Sequence, residues 1–429
     1  MKISISGIRG VYGEDFTPND VIKFCKGFSK LVKNQRCVIG RDTRPSGEMI
    51  KNLVSATLLE RGIDVYDLGM TPTPVIFREA KKIGAGVIIT SSHNPIKWNG
   101  LKFILDGRGI SENELENLIK DTNFEKKSIG KEQSIESDYV EEAAKIIGKI
   151  RDSLQVTVDI GGGAAKIIAP KLLQKIGCQV TEINQELEHC SRGPDPTSDN
   201  LDDLVNTTEH IGFAFDLDSD RVVLVLNGVR KSSDMTLALG VVKALKLGIK
   251  KFVLSLDSSL AIEKYITKNG GQVWRSKIGE ANVIQTMIKN NADAGGEGSS
   301  GGFILKDFNM CRDGILTSGL VASMINDENI QDDIEFFESF SQIRDKISIE
   351  ADLHEKILQN VKKELEGKYE ISELDGIKIM INENTWSLIR KSNTENIIRI
   401  SSESNDKNLL EKTQKEMLKI VENCYEKIK

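Results

Sequence analysis

The sequence is poor in the side chains that bind zinc and in long apolar segments. It contains six cysteines and four histidines among 429 residues. No two cysteines form a C-x-x-C pair and the histidines are widely spaced, which excludes a zinc site of the usual spacing. No apolar run approaches the ~20 residues of a membrane span, and the first residues lack the apolar core of a signal peptide. We therefore expect a cytoplasmic protein with reduced cysteines.

Basic residues are in slight deficit. Lysine and arginine number 58, aspartate and glutamate 64, and the net charge is −6. This balance argues against a general surface for nucleic acid or for anionic membranes. A phosphate ligand would therefore need a local group of cations. The length of the chain favours roughly three domains.

Strands and helices alternate along most of the chain. Short apolar runs at 37–40, 65–69 and 86–89 predict strands, and helical patterns lie between them at 47–61 and 75–82. This alternation is typical of a parallel sheet covered by helices. The same plan returns twice at intervals of roughly 100 residues, which indicates a tandem repeat of related α/β domains.

The end of the chain follows another pattern. Residues 377–381 and 385–389 predict antiparallel neighbours, and apolar residues at helical spacing predict a final helix over 410–424. We therefore predict an α/β fold of three tandem related domains with mixed, mainly parallel sheets, followed by a smaller α+β domain. The predicted domains are residues 1–145, 146–246, 247–345 and 346–429.

A group of hydroxyls follows the predicted strand at 86–89. Residues 90–95 read Thr-Ser-Ser-His-Asn-Pro, and the Asn-Pro step forces a turn. Ser92 is thus presented at the carboxyl end of a strand, where open α/β sheets bind ligands, and Lys102 offers a cation nearby. Because neighbouring strand residues point to opposite faces, we expect His93 to orient this loop rather than to relay a proton with Ser92.

Three aspartates alternate with other residues after another apolar run. Asp216, Asp218 and Asp220 repel one another, and a divalent cation relieves that repulsion; hard oxygen ligands suit Mg²⁺. A helix-loop-helix calcium loop is excluded, because its glycine and glutamate positions hold Arg221 and Asn227. An aspartate-nucleophile phosphatase, which also places D-x-D after a strand, and a plain acidic turn stay open as alternatives.

Two further segments carry groups that suit a sugar phosphate. Residues 390–395 hold two cations and two hydroxyls, and Arg399 follows them; arginine forks and hydroxyls bind phosphate well. A glycine-rich segment at 294–302 carries Glu297 and Ser299, which can bind sugar hydroxyls, since glycine lets the backbone approach a ligand. If these segments have no function, residues 390–395 would form a solvated hairpin loop and residues 294–302 a flexible turn.

Together these segments resemble the α-D-phosphohexomutase family, whose members move a phosphoryl group between the 1- and 6-positions of hexoses. The resemblance covers nearly the whole chain and rests on four motifs in the order of the family, at residues 90–95, 216–221, 295–302 and 390–395. It implies three α/β repeats and a smaller C-terminal domain around a central cleft.

The resemblance also implies roles for individual residues. The metal ligands would be Ser92, which carries the phosphoryl group, Asp216, Asp218 and Asp220. The catalytic candidates are Ser92, Lys102, Arg9 and His93, with Lys102 as the candidate for proton transfer. The candidates for substrate binding are Arg221, Glu297, Ser299, Arg390, Ser392, Asn393, Thr394 and Arg399.

The expected cofactors are Mg²⁺ and a hexose 1,6-bisphosphate that serves as activator and intermediate. The expected partner is a small phosphosugar, bound by a monomer or homodimer, without nucleic acid or membrane. Many members of the family have Ser-Gly-His where this chain has Ser300, Gly301 and Gly302, and Glu280 stands where aspartate is more usual. The glycine-rich version resembles the archaeal phosphoglucosamine mutase-like branch.

The expected reaction is therefore the conversion of glucosamine 6-phosphate to glucosamine 1-phosphate. Three alternatives remain open at this point. They are a phosphoglucomutase/phosphomannomutase of broad specificity, a non-catalytic sugar-phosphate binding protein, and a phosphatase.

Overall fold

The first sheet and its helices occupy the N-terminal part of the chain. A computed structural model describes residues 1–120, 128–150, 153–392 and 396–428. The first strands are β1 (Lys2–Ser4), β2 (Gly7–Val11), β3 (Arg36–Arg41), β4 (Asp64–Met70), β5 (Ala85–Ile89), β6 (Trp98–Leu105), β7 (Arg108–Gly109) and β8 (Glu132–Ser134). The helices here are α1 (Pro18–Ser29), α2 (Gly47–Glu60), α3 (Thr73–Ile83) and α4 (Glu112–Ile119). The sheet runs in the order β1-β2-β6-β5-β3-β4-β8, with β7 paired to β6.

The second and third sheets follow in the chain. The second group of elements is α5 (Tyr139–Ile147), β9 (Leu154–Asp159), α6 (Ala165–Ile176), β10 (Cys178–Ile183), α7 (Asp202–Thr207), β11 (Ile211–Phe215), β12 (Val222–Leu226) and β13 (Val229–Arg230). The third is α8 (Ser233–Lys246), β14 (Lys251–Ser255), α9 (Leu260–Lys268), β15 (Gln272–Ser276), α10 (Glu280–Asn290), β16 (Ala294–Glu297), β17 (Gly302–Leu305), α11 (Gly314–Ala322) and α12 (Ile330–Glu338).

The three sheets share one topology, which confirms the tandem repeat predicted from the sequence. The shared strand orders are β4-β3-β5-β6, β10-β9-β11-β12 and β15-β14-β16-β17. In each, the first three strands are parallel and the fourth is antiparallel to the third. The apolar runs in β5 and β11 are buried throughout, because helices or neighbouring domains cover both faces of these strands.

The repeated topology places one loop of each domain in the same position. This loop joins the third strand to the antiparallel fourth strand. We call the three loops the serine loop (residues 90–97), the aspartate loop (216–221) and the glycine-rich loop (298–301). Each therefore leaves the carboxyl end of a buried parallel strand, the end at which α/β sheets bind their ligands.

The last part of the chain forms an antiparallel sheet with helices, as predicted. Its elements are β18 (Ser341–Ser348), α13 (His354–Leu365), β19 (Glu370–Ser372), β20 (Ile377–Asn382), β21 (Thr385–Lys391), β22 (Ile397–Ser404) and α14 (Lys407–Glu426). The strand order is β18-β22-β21-β20-β19, and every neighbouring pair is antiparallel. Helix α14 places Met417, Val421 and Cys424 against the apolar core of this sheet, whereas most of its other side chains face solvent.

Two of the predicted domain limits fall at the end of α8 and within β18. Helix α8, predicted to end the second domain, packs against β12 of the second sheet and against β16 and β17 of the third. Strand β18, predicted to be divided after residue 345, pairs with β22 along its whole length. The domain limits themselves stay predictions. Within the described part of the chain, none of the helices combines the length and apolar character required to traverse a bilayer.

Candidate active site

The serine loop holds Ser92 in a conformation that a strand does not provide. Ser92 has φ 51°, in the left-handed region, and its amide donates to Thr90 Oγ1 at 2.8 Å. Its own hydroxyl donates to Asp216 Oδ2 of the aspartate loop at 2.9 Å. A non-glycine residue with positive φ persists only where its surroundings stabilise it, and such residues concentrate at functional sites.

A buried arginine fixes the shape of this loop. Arg44 Nε donates to Asp42 Oδ2 at 3.1 Å, and the side chain is fully buried. Its terminal nitrogens donate at 2.6–2.8 Å to the carbonyl oxygens of Ser92, Asn94, Pro95 and Trp98. One guanidinium thus satisfies most of the carbonyl groups that the loop turns inward, which preorganises Ser92.

The geometry of His93 differs from the prediction. We expected opposite faces for Ser92 and His93, yet His93 Nδ1 lies 3.4 Å from Ser92 Oγ. The prediction was wrong because Ser92 has left the strand and its left-handed backbone turns the next residue back. Burial, and then the positive charges of Arg221 and Arg9, hold the pKa of His93 well below its usual value.

The aspartate loop brings its three carboxylates together as predicted. Oxygens of Asp216, Asp218 and Asp220 all lie within 4.8 Å of one another, and the three side chains are buried. Asp218 Oδ1 and Asp220 Oδ1 are buried and have no hydrogen-bond partner among the described residues. Buried carboxylate oxygens that lack donors are costly unless a cation binds them, so this loop is built to hold a metal ion.

Cations on neighbouring strands hold the other carboxylate oxygens. Lys102 Nζ, on β6, donates to Asp218 Oδ2 at 2.8 Å and lies 3.4 Å from Asp220 Oδ2. Burial opposes the charge of Lys102, but Asp218 and Asp220 outweigh it and raise the pKa of the amine. Arg9, on β2, donates to the carbonyl of Ser6 at 3.0 Å; burial lowers its pKa, and Asp218 and Asp220 oppose that effect.

The three aspartates do not share one protonation behaviour. Burial raises the pKa of Asp216 well above its ordinary value, and the neighbouring carboxylates add to this effect. The pKa of Asp218 is lowered instead, because Lys102 and Thr73 Oγ1, which donates at 2.8 Å, outweigh its burial. The hydroxyl of Ser92 donates to Asp216, the aspartate whose side chain, among the described residues, has no cation in hydrogen-bond contact.

The glycine-rich loop lies beside this cluster. Glu297, the last residue of β16, is buried and accepts from the amide of Gly279 at 3.0 Å. Its other oxygen accepts from Arg312 Nη1 at 2.7 Å. Burial raises the pKa of Glu297, and Arg312 opposes that effect. Ser299 is less buried than its neighbours and lines the cleft toward the C-terminal domain.

The C-terminal sheet contributes a row of cations at the other side of this cleft. Arg399 is directly opposite Lys346 on β18 and Arg390 on β21. We call these three residues the cation row. Together with Ser299 and Asp257 they line a cavity of about 400 Å³. Like charges directly opposite one another destabilise a sheet, so such a row is expected to bind an anion.

Most sequence-predicted site residues thus lie around one cleft. Its buried end comprises Ser92, His93, Lys102, Arg9, Asp216, Asp218, Asp220, Arg221 and Glu297. Arg221 Nε lies 3.8 Å from Asp220 Oδ1. Toward the C-terminal sheet lie Ser299, Arg390 and Arg399, and Ser392 follows β21 directly. Asn393 and Thr394 lie outside the described residues.

Sequence reasoning missed three residues that organise the site. Arg44 clamps the serine loop, Thr73 donates to Asp218, and Arg312 joins the aspartate and glycine-rich loops. Each is distant in sequence from the group it holds, so no local pattern marks it. Gly302 was a usable signal for Arg312, since its missing side chain leaves space for the stem of that arginine.

Tandem α/β domains that direct a serine, an aspartate cluster and a glutamate into one cleft define a phosphohexomutase. Three descriptions of phosphoglucomutase/phosphomannomutase alpha/beta/alpha domains, I, II and III, match residues 1–129, 137–228 and 232–340. The chain is also 34% identical to the probable phosphoglucosamine mutase of Methanosphaera stadtmanae, over 96% of this chain and 97% of that protein. The chain belongs to the phosphoglucomutase/phosphomannomutase, or α-D-phosphohexomutase, family.

Two further comparisons agree. The phosphoglucosamine/phosphogalactosamine mutase of Sulfurisphaera tokodaii is 31% identical over 97% of this chain and 98% of that protein. The crystal structure of a phosphoglucomutase/phosphomannomutase family protein from Burkholderia thailandensis superposes with a TM-score of 0.85 at 23% identity, covering 99% of this chain and 98% of that one. At this level of identity, the similarity to the Burkholderia structure is evidence for the fold alone.

Proposed function

We propose that this phosphohexomutase interconverts glucosamine 6-phosphate and glucosamine 1-phosphate through phospho-Ser92 and a bisphosphorylated sugar. The observation that carries the proposal is the contact of Ser92 Oγ with Asp216 at 2.9 Å, at the buried end of a cleft whose other side bears the cation row. Names of the relatives in Methanosphaera stadtmanae and Sulfurisphaera tokodaii support an amino sugar as the substrate.

Each transfer exchanges one O–P bond for another. Phospho-Ser92 gives its phosphoryl group to a hydroxyl of the sugar monophosphate, and the proton of that hydroxyl passes through the site to the serine oxygen. The bisphosphate then turns, and its other phosphoryl group returns to Ser92. We assign the proton transfer to Lys102, which contacts Asp218 and Asp220 in the carboxylate cluster that Ser92 contacts through Asp216.

The aspartate loop is the proposed Mg²⁺ site. Asp216, Asp218, Asp220 and the phosphate of phospho-Ser92 would hold the ion. Two buried aspartate oxygens that have no donor among the described residues fit this role. When bound, Mg²⁺ offsets negative charge on the transferring phosphoryl group. Arg9 and Lys102 contribute fixed positive charge to the same end of the cleft.

The remaining groups hold the sugar and its second phosphate. Glu297 is kept in place by Gly279 and Arg312 and would accept from sugar hydroxyl or amine groups. The cation row would hold the phosphate that is not reacting. Either phosphate of the turned intermediate must fit there. Positive charge at that position therefore matters more than close complementarity to the shape of one ligand orientation.

A mutase assay on glucosamine 1-phosphate, glucose 1-phosphate and mannose 1-phosphate tests the proposal. Mg²⁺ and a trace of the matching bisphosphate are supplied, and free phosphate is followed in parallel. We expect the highest kcat/KM for the glucosamine ester and no net phosphate release. Comparable values for two sugars would indicate a phosphohexomutase of broad specificity, and phosphate release without isomerisation would indicate a phosphatase. Binding without product would indicate a non-catalytic sugar-phosphate binder.

A further inference from the structure

The glycine-rich loop ends at a position where a side chain cannot be accommodated. A Cβ atom at Gly302 would lie 2.2 Å from Arg312 Cδ and 2.7 Å from Arg312 Cγ. Many members of the α-D-phosphohexomutase family carry a histidine at this position, within the Ser-Gly-His segment described above. The stem of Arg312 thus occupies the space that a residue at 302 would need, so glycine at 302 and arginine at 312 depend on each other.

The guanidinium of Arg312 contacts two loops at once. Nη2 donates to Asp220 Oδ2 at 2.8 Å, in the aspartate loop. Nη1 donates to Glu297 Oε2 at 2.7 Å and to Ser300 Oγ at 3.2 Å, at the glycine-rich loop. Nε lies 3.2 Å from Glu280 Oε2, which also accepts from the Arg312 amide at 2.9 Å. One buried planar cation therefore fixes the relative positions of a proposed metal ligand and a proposed sugar ligand.

An arginine in this place cannot repeat the chemistry of a histidine. Its guanidinium stays charged in proteins and neither takes up nor releases a proton during turnover. Its contribution is geometric and electrostatic, because a rigid fork with several donors orients carboxylates more strictly than a lysine does. Without it, the buried acids Asp220 and Glu297 and the half-buried Glu280 would lose a shared counter-charge, which is strongly unfavourable.

We propose that Arg312 is a positioning residue that couples metal binding at the aspartate loop to sugar recognition at Glu297. By holding Asp220 and Glu297 with one guanidinium, it makes occupation of the aspartate loop by Mg²⁺ and binding of the amino-sugar phosphate at Glu297 favour each other. This proposal rests on the proposed function. Coupling of this kind is reciprocal, so the sugar phosphate also strengthens the binding of Mg²⁺.

Calorimetric titration of a Ser92→Ala protein tests the coupling in the absence of turnover. Glucosamine 1-phosphate is titrated with and without Mg²⁺. With Arg312 present we expect Mg²⁺ to lower the Kd by about tenfold. Arg312→Met in the same background should reduce this ratio to near one. The matched control is Arg78→Met, which removes a partly buried arginine paired with Glu142 and should keep the ratio.

A conservative variant guards against a trivial loss of folding. Arg312→Lys keeps one positive charge but cannot hold both loops, and it should bind the sugar phosphate with a Kd that no longer depends on Mg²⁺. A folded Arg312→Met or Arg312→Lys protein that retains the tenfold Mg²⁺ effect would overturn the proposal.

The close packing of Gly302 against the stem of Arg312 allows a second measurement. Gly302→Ala should lower the thermal midpoint in the presence of Arg312 and lower it less in an Arg312→Ala background. Equal losses in the two backgrounds would contradict this dependence.

The two proposals fail in different ways. Wild-type turnover with a Kd that is independent of Mg²⁺ overturns the coupling and leaves the mutase function intact. A wild-type protein that neither isomerises nor binds glucosamine 1-phosphate overturns both.

Discussion

The two ends of the cleft are built on opposite principles. At the end formed by the serine and aspartate loops, Asp218 and Asp220 are buried and Lys102 contacts both of them. At the other end, the cation row lies on an open sheet face, and Lys346 is exposed to solvent. The first end is a fixed arrangement of opposite charges, whereas the second is a line of three cations, with Asp257 in the same cavity and Asp375 3.9 Å from Arg390.

This difference follows from what each end must do under the proposed function. Phosphoryl transfer is helped by charges that are already in place and shielded from water, since electrostatic interactions are stronger there. The distant phosphate only has to be held, and it must be held in two orientations of the ligand. An exposed row of cations provides attraction with little demand on shape, at the cost of screening by salt.

The largest expected effect comes from removing the phosphoryl acceptor at the buried end. Ser92→Ala should lower mutase turnover by at least about 10⁴-fold, because the hydroxyl that carries the phosphoryl group is lost. Ser91→Ala in the same loop is the matched control, since Ser91 Oγ only accepts from Asn94 at 3.1 Å. The kcat of both variants is measured with bisphosphate present. Full turnover by the Ser92→Ala protein would rule out a phosphoserine mechanism.

A smaller effect, of another kind, is expected at the exposed end. Lys346→Gln removes one charge of the cation row and should raise KM by about tenfold with little change in kcat, because a charged hydrogen bond to the distant phosphate is lost. Raising the salt concentration should reduce the difference from wild type.

The control for the exposed end is Lys362→Gln. Lys362 also lies in the C-terminal domain, paired with Glu373 at 2.7 Å, but on helix α13 outside the cavity. Its KM should equal that of the wild type. A Lys346→Gln protein that loses kcat instead would mean that this end takes part in the chemistry.

At the junction between the two ends the expected effect is on stability and not on catalysis. Asp234 accepts from the Ser259 amide at 2.8 Å and from Arg344 Nη2 at 3.0 Å, and Glu403 and Asp257 lie nearby. Burial raises its pKa from 3.8 to about 6. Between these two values the folded protein binds a proton that the unfolded chain releases. This contribution therefore lowers stability as the pH rises from about 4 to 6.

Asp234→Asn should remove this dependence of stability on pH. The difference in free energy of unfolding between variant and wild type, measured in urea at pH 4 and pH 7, should change by roughly 2 kcal/mol in favour of the variant. The control is Asp327→Asn, which alters an exposed pair with Lys246. Parallel pH profiles for Asp234→Asn and the wild type would show that this carboxyl does not titrate abnormally.

The fold was largely predictable because its signals are local. The apolar runs of β5 and β11 and the alternation with helices predicted the repeats, and the three acids of the aspartate loop stand within five residues of the chain. The predictions that failed concerned features set by backbone geometry or by contacts between residues distant in the chain. The left-handed φ of Ser92 has no sequence signature, and it overturned the expected separation from His93.

Long-range positioning was the other limit. Arg312 holds Asp220 from 92 residues further along the chain, and Arg44 holds Ser92 from 48 residues before it. An isolated buried arginine looks, in sequence, like any surface arginine. The domain limits predicted near α8 and β18 stay predictions, since the length of a repeat does not show which sheet an element packs against.

The repeated strand order has a consequence for the ancestry of the site. Three copies of one hairpin, β5-β6, β11-β12 and β16-β17, supply the serine, aspartate and glycine-rich loops. A duplicated domain would have started with three equivalent loops, and the arginines that now hold these loops, Arg44 and Arg312, lie outside the three hairpins. Under the proposed function, an exchange of residues 298–301 would alter the sugar side of the cleft. It would have to keep the contact of Ser300 with Arg312 and that of Gly301 with Val222.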